Sequence, residues 1–206
     1  DWTLNQFALI GSDISADFKK MSFKQYSGFQ LMDLVCKFHI SGQGLSMKDA
    51  TVITPTSRVY MDFAFNYDDW KDFGDFLNKI KINAEVRPST FDTHDIGFFA
   101  PKTAGMDNLL SFQCKVSGPI NELKINDLDA YLGESTHLTG NLSLQNITDF
   151  FNADIHAKLE KNEINLADIQ QFKLPNGKSI ALPDFLKNLG TATADIAYDG
   201  IISQKF

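Results

Sequence analysis

The sequence has no concentration of basic residues. Its 19 lysine and arginine residues are outnumbered by 26 aspartate and glutamate residues, which leaves a net charge of −7. A nucleic-acid-binding surface and a polybasic membrane-binding patch both need clustered positive charge, so both are excluded for this chain. Long hydrophobic runs are also missing. Apolar runs such as Phe98–Ala100 fall far short of the roughly 18 residues of a membrane-spanning helix.

Motifs that carry chemistry are equally scarce. The two cysteines do not form a Cys-x-x-Cys pair, and the four histidines lack the spacing of a helical metal motif. No Gly-x-Ser-x-Gly motif accompanies His94 and Asp95, and the matching Asp168 has no preceding histidine. We therefore predict no enzymatic activity, no cofactor and no metal site. Asp95 and Asp168 are interpreted as residues of a turn or of a strand start.

Cys36 and Cys114 occupy matching places on two alternating segments. This pattern favours two small apolar side chains that face inward. A disulfide between them is the alternative.

Regular alternation of apolar and polar residues is the main pattern in the sequence. Val59, Met61, Phe63 and Phe65 alternate with polar neighbours, which is typical of a strand with one buried face and one hydrated face. One segment, 68–80, has apolar residues at helical spacing instead and predicts an amphipathic helix. A second short helix is predicted at Pro183–Gly190.

The layout of residues recurs along the chain. Leu34–Phe65 and Leu110–Leu144 share the order of a Cys-Lys pair, a Ser-Gly pair, an Asp-containing turn and a final alternating strand. We expect two continuous β-repeat units, residues 1–104 with the helix near 68–80 and residues 105–206. Both ends of the sequence are strand-like, so we expect it to be a piece of a longer polypeptide.

The segment Val116–Leu144 has the layout Ser-Gly, Leu-x-Ile-x-Asp-Leu, Gly, Thr-x-Leu-x-Gly-x-Leu-x-Leu, and Ile164–Pro175 has the sequence INLADIQQFKLP. Both resemble the repeats of TamB-like proteins of the AsmA-like superfamily (translocation and assembly modules), especially the long versions from Bacteroidetes. The similar pattern covers most of residues 34–200. It consists of Gly, Asp and apolar spacing and includes no catalytic motif.

The resemblance implies a mainly β fold, an elongated, curled repeat β-sheet with an open apolar groove and a few short amphipathic helices. It implies a periplasmic, envelope-spanning protein, anchored in the inner membrane by a segment outside this chain. The implied function is conduction of phospholipids between the inner and outer membranes, with phospholipid acyl chains as partners. No nucleic-acid partner is expected.

The inward-facing repeat positions are the candidates for the lipid groove. They are Cys36, Phe38, Ile40, Val59, Met61, Phe63, Phe65, Phe112, Cys114, Val116, Leu138, Leu142 and Leu144. Two alternatives stay open at this point. One is a scaffold for outer-membrane protein assembly that uses strand edges and binds assembly proteins. The other is a glycan- or protein-binding pair of β-sandwiches, with the same residues in closed cores.

Overall fold

The computed structural model describes residues 1–149, 152–186 and 190–201, and strands account for most of them. The strands are β1 (Trp2–Ile10), β2 (Asp13–Met21), β3 (Phe23–Lys24), β4 (Gln30–Leu31), β5 (Asp33–Ile40), β6 (Gly44–Ile53), β7 (Arg58–Asn66), β8 (Lys81–Asp92), β9 (Leu109–Pro119), β10 (Glu122–Leu132), β11 (Thr136–Gln145), β12 (Asp154–Asn165) and β13 (Thr191–Ile201). The predicted mainly β class is confirmed.

Eleven of these strands form one open antiparallel sheet in the order β1-β2-β5-β6-β7-β8-β9-β10-β11-β12-β13. The strands β3 and β4 pair separately as a two-stranded ribbon. Neighbours in the large sheet are therefore neighbours in sequence, apart from the inserted ribbon. The β-sandwich alternative requires two large sheets packed face to face, and the described residues form only one.

Helical segments are short and lie in the connections between strands. The 3-10 helix Trp70–Asp75 continues into α1 (Phe76–Lys79), within the segment predicted to be helical. Asp69 caps it: its side chain accepts a hydrogen bond from the N–H of Lys71, and the side chain of Asp72 closes the capping box. Ring contacts between Phe65 and Phe76, with centroids 5.4 Å apart, attach it to the sheet.

Further short helical segments lie in the later connections between strands. They include the 3-10 helices Thr93–Phe98 and Pro101–Thr103 after β8, and α2 (Leu166–Gln171) after β12. Sequence patterns do not predict Thr93–Phe98 or α2, because neither is long enough to carry an apolar stripe. The helix predicted at Pro183–Gly190 is a single 3-10 turn at Asp184–Leu186, and residues 187–189 lie outside the described part. No helix among the described residues has the length and apolarity to cross a membrane.

The disulfide left open by the sequence is excluded by the strand order. Cys36 lies on β5 and Cys114 on β9, and both are free. Four inter-strand steps of about 4.8 Å separate them by about 19 Å, beyond the reach of a disulfide. Burial raises the pKa of both thiols to about 11, so they are protonated at neutral pH.

Candidate functional site: an apolar face across the sheet

The thirteen groove candidates all lie on one face of the large sheet. Cross-strand partners share a face, and the pairing carries the apolar side across the molecule through pairs such as Phe38 with Met47 and Ala84 with Val116. The opposite face pairs polar residues at the neighbouring positions, such as Asn83 with Ser117. The sheet is therefore amphipathic across its strands, with one apolar face and one polar face.

One row of this apolar face crosses all eleven strands without a polar interruption. Its members, each opposite the next, are Phe7, Ala16, Phe38, Met47, Phe63, Ala84, Val116, Ile125, Leu142, Ala157 and Tyr198. With neighbouring strands about 4.8 Å apart, the row is about 48 Å long. We call it the central row. It contains four of the thirteen predicted candidates: Phe38, Phe63, Val116 and Leu142.

Sequence reasoning missed the members of this face on β1, β2, β6, β8, β10, β12 and β13. They include Phe7, Met47, Ala84, Ile125 and Tyr198. The alternation on several of these strands is interrupted by bulges and by small residues such as alanine, which weakens the pattern. Strand pairing identifies them because it fixes which residues are opposite one another.

The apolar face is neither a closed core nor a fully exposed surface. Cys36 and Cys114 are 2% and 6% exposed, whereas the other eleven candidates are half-buried. A residue in the centre of a sandwich would lose nearly all contact with water. These side chains keep part of their apolar surface available to a further apolar group.

Asp95 fixes one corner of the sheet by accepting hydrogen bonds. Its Oδ2 atom accepts from the hydroxyls of Thr54, Thr56 and Ser57 at 2.6, 3.3 and 2.6 Å. Both Asp95 and Ser57 are buried. The carboxylate ties the 3-10 helix after β8 to the turn between β6 and β7.

Asp168 has the same place one unit later. Its carboxylate oxygens accept hydrogen bonds from the backbone N–H groups of Glu134, Ser135 and Thr136, with N–O distances of 3.4, 3.0 and 2.8 Å. Burial alone raises the pKa of Asp168, but these N–H groups outweigh it and hold the pKa below its usual range. Of the two positions that the sequence suggested for Asp95 and Asp168, a turn or a strand start, the strand start is wrong: both residues lie in short helical turns that follow β8 and β12.

Bulges bend the central strands at two matching positions. Asp49 on β6 and Asp127 on β10 both have a φ of 52°. Their side chains pair with Lys37 at 2.8 Å and with Lys115 at 2.9 Å. These ion pairs are exposed and add little stability by themselves. The bulges at Asp49 and Asp127 mark the places where a stronger local twist of the strands is expected.

One ion pair joins connections from opposite ends of the strands. Lys102 lies in the connection between β8 and β9, at one end of the strands. Asp149 lies in the connection between β11 and β12, at the opposite end of the strands. Their Nζ and Oδ2 atoms are 3.4 Å apart. Strands of about ten residues span about 33 Å. The two connections therefore converge across one face of the sheet.

The polar face carries shallow, open depressions. One of 450 Å³ extends from Ser46 to Asn126 over β6–β10, and another of 530 Å³ extends from Lys124 to Asp199 over β10–β13. Their linings come from strand residues and include no residue of the connections that hold Lys102 and Asp149. This face is uncovered at the strands where those connections converge.

Histidines on the polar face make isolated contacts. His39 meets Ser15 at 2.9 Å, and His137 meets Asp129 at 2.7 Å, in separate places. Among the described residues, no hydrogen-bonded chain joins a serine, a histidine and a carboxylate. The absence of enzymatic activity stays a prediction.

His156 belongs to one group of potential metal ligands. Its Nδ1 atom is 3.0 Å from Asp199 and its Nε2 atom is 3.5 Å from Asp154. Both ring nitrogens already face carboxylates, and the side chain of Asp199 is 84% exposed. We interpret this group as a surface ion-pair network, and the absence of a metal site also stays a prediction.

The apolar face is therefore continuous across the strands and half-buried, and its side chains are of the kind that contact apolar chains. The helical segment after β7 contacts this face through the ring of Phe65. Comparisons of the chain with protein-family models, with curated proteins and with solved structures found no match.

Proposed function

We propose that this chain is a segment of a periplasmic, envelope-spanning protein whose apolar β-groove conducts phospholipids between the inner and outer membranes. The observation that carries the proposal is the central row, which crosses eleven strands on one face and is buried only at Ala16. Acyl chains lie against this face, and the route runs from strand to strand across the sheet. The envelope setting and the inner-membrane anchor come from the resemblance to TamB-like proteins.

The convergence of Lys102 and Asp149 supports a curled sheet with the apolar face inside. The connections that carry them meet over one face. The polar face is open over the same strands, so the covered face is the apolar one. We infer that the groove passes beneath this contact between β8 and β12. A covered groove keeps acyl chains out of water.

The recurring contacts support two repeat units, residues 1–104 and 105–206, that share one groove. The bulges at Asp49 and Asp127 and the acceptors Asp95 and Asp168 occur in the same order in both. Repetition lengthens the apolar surface while each strand contacts only its neighbours. This is the arrangement that a conduit needs.

Binding of a single acyl chain has a predictable strength. An acyl chain that buries about sixteen methylene groups gains about 13 kcal/mol, of which about 5 kcal/mol offsets the freedom lost on association, and the remaining 8 kcal/mol or so corresponds to a Kd of about 1 µM. We expect cis-parinaric acid, a fatty acid that becomes fluorescent in apolar surroundings, to bind the purified chain in this range. Titration followed by fluorescence checks this, with bovine serum albumin as a positive control. If saturating protein gave a fluorescence no higher than that of cis-parinaric acid in protein-free buffer, the proposal would be contradicted.

The assembly-scaffold alternative uses strand edges instead of the apolar face. It predicts that substitutions on the central row leave function intact. The conduit predicts the reverse, so the same variants distinguish the two.

A further inference from the structure

Two rings on the polar face form a stack that follows the strand order. Tyr131 on β10 lies opposite His137 on β11. Their rings are parallel within 3°, with centroids 4.2 Å apart. Neighbouring strands are about 4.8 Å apart, so the rings stack in the direction that crosses the strands. His137 therefore covers one face of Tyr131, and the other face of Tyr131 is directed toward β9.

This second face of Tyr131 forms one wall of a depression. Opposite Tyr131 on β9 is Ser111, whose short side chain does not continue the stack. The depression has a volume of 260 Å³, and its other lining residues are Pro88, Ser89, Ser111, Phe112, Gln113 and Asp129. Pro88, an exposed residue of β8, forms the opposite wall. The strands β8 and β10 are two spacings, or about 9.6 Å, apart, which leaves room for one ring between the walls.

The floor of the depression carries hydrogen-bonding groups that are fixed in place. Nε2 of Gln113 donates to Oδ2 of Asp129 at 3.0 Å, and the ring of His137 lies 2.7 Å from Oδ1 of Asp129. The hydrogen bonds from His137 and Gln113 hold the pKa of Asp129 below its usual range, so the carboxylate is ionised at neutral pH. The side chain of Asp129 is still 37% exposed. A carboxylate has about four acceptor positions, so about two remain for the hydroxyls of a ligand.

We propose that this depression binds one hexopyranose ring between Tyr131 and Pro88. The faces of a pyranose carry C–H groups, which pack against the tyrosine ring on one side and the proline ring on the other. Its hydroxyl groups project from the rim, where Asp129 accepts hydrogen bonds from them. Among the described residues that line the depression, Asp129 alone is charged, so the site favours a neutral ligand over an anion. The site lies on the polar face and is independent of the proposed conduit.

The two apolar walls select between sugars. In a β-glucoside every ring hydroxyl is equatorial, so both faces present only C–H groups. A β-galactoside has one axial hydroxyl, which would face a wall and lose its contact with water without gaining a hydrogen bond. We expect methyl β-glucoside to bind with a Kd of about 1 mM, a value suited to a ligand of about a dozen non-hydrogen atoms. Methyl β-galactoside should bind at least tenfold more weakly.

Titration of the isotope-labelled, purified chain, followed by nuclear magnetic resonance, tests this site. Methyl β-glucoside should give saturable shifts confined to amides near the depression, including the side-chain amide of Gln113. Tyr131→Ala should weaken binding at least tenfold, whereas Tyr131→Phe, which keeps the ring, should bind within about twofold of wild type. Tyr26→Ala removes a fully exposed tyrosine outside the depression and should bind as wild type does. The same spectra verify that each variant is folded.

Three results would overturn the proposal. The first is the absence of saturable shifts at sugar concentrations tenfold above the expected Kd, or equal binding by Tyr131→Ala and wild type. The second is equal affinity for the two glycosides, which would contradict a slot with two apolar walls. The third is tighter binding of guanosine at the same amides, which would assign the site to a planar base. Acyl-chain binding by Tyr131→Ala should be unchanged, so the sugar site and the conduit are tested separately.

Discussion

Val116→Asp is expected to weaken acyl-chain binding at least tenfold while the chain stays folded. Val116 lies on the central row between Ala84 and Ile125 and is half-buried. In the lipid-free protein an aspartate here keeps part of its contact with water. A bound acyl chain would remove that water, and burial of an unpaired carboxylate costs several kcal/mol. Titration with cis-parinaric acid measures the loss.

Ser117→Asp is the matched control. Ser117 is the next residue on β9 and pairs with Asn83 and Lys124 on the polar face. The same charge is added to the same strand, on the opposite side of the sheet. We expect no change in acyl-chain binding. If Ser117→Asp abolished binding and Val116→Asp did not, the polar depressions would be the binding surface and the conduit would be wrong.

Asp168→Asn is expected to lower the free energy of unfolding by about 2–3 kcal/mol. Asp168 accepts three backbone N–H groups, from Glu134, Ser135 and Thr136. An amide whose oxygen stays with Ser135 and Thr136 turns its NH2 donor toward the N–H of Glu134, and the loss of the negative charge weakens the two hydrogen bonds that remain. Urea unfolding measures the change. Asp127→Asn, which removes an exposed ion pair with Lys115, should cost less than about 1 kcal/mol.

The same variant has a defined pH dependence. The folded state lowers the pKa of Asp168, so the ionised carboxylate stabilises the fold. That stabilisation is fully present above the ordinary aspartate pKa of about 3.9 and is lost as the pH falls toward the lowered value. The difference between wild type and Asp168→Asn should therefore be largest at neutral pH and shrink below pH of about 4. A difference that grows on acidification would contradict this role of Asp168.

The alternating segments carried most of the predictable information. The period of two along a strand predicts that residues such as Phe38, Phe63 and Val116 share one face, and cross-strand pairing places them together. The helical segment after β7 was predictable from its apolar spacing and its capping aspartate. Local patterns were sufficient for both.

The remainder depends on contacts between residues far apart in sequence. Asp168 is 32 residues from Thr136, and Lys102 meets Asp149 although their connections leave the strands at opposite ends. Neither contact leaves a local pattern. The bulge residues Asp49 and Asp127 match in sequence, but a bulge is defined by the register of the neighbouring strand. The strand order therefore required the structure.

The most direct test of the conduit places a photo-crosslinking amino acid at Phe112 in the full-length protein in its own cells. Phe112 lies on the apolar face opposite Ala130, and Lys115, on the polar face of the same strand, serves as control. Mass spectrometry identifies the adducts. We expect phospholipid adducts at Phe112 and none at Lys115. Crosslinks confined to the protein itself at Phe112, or equal lipid adducts at both positions, would contradict an apolar groove that carries phospholipids.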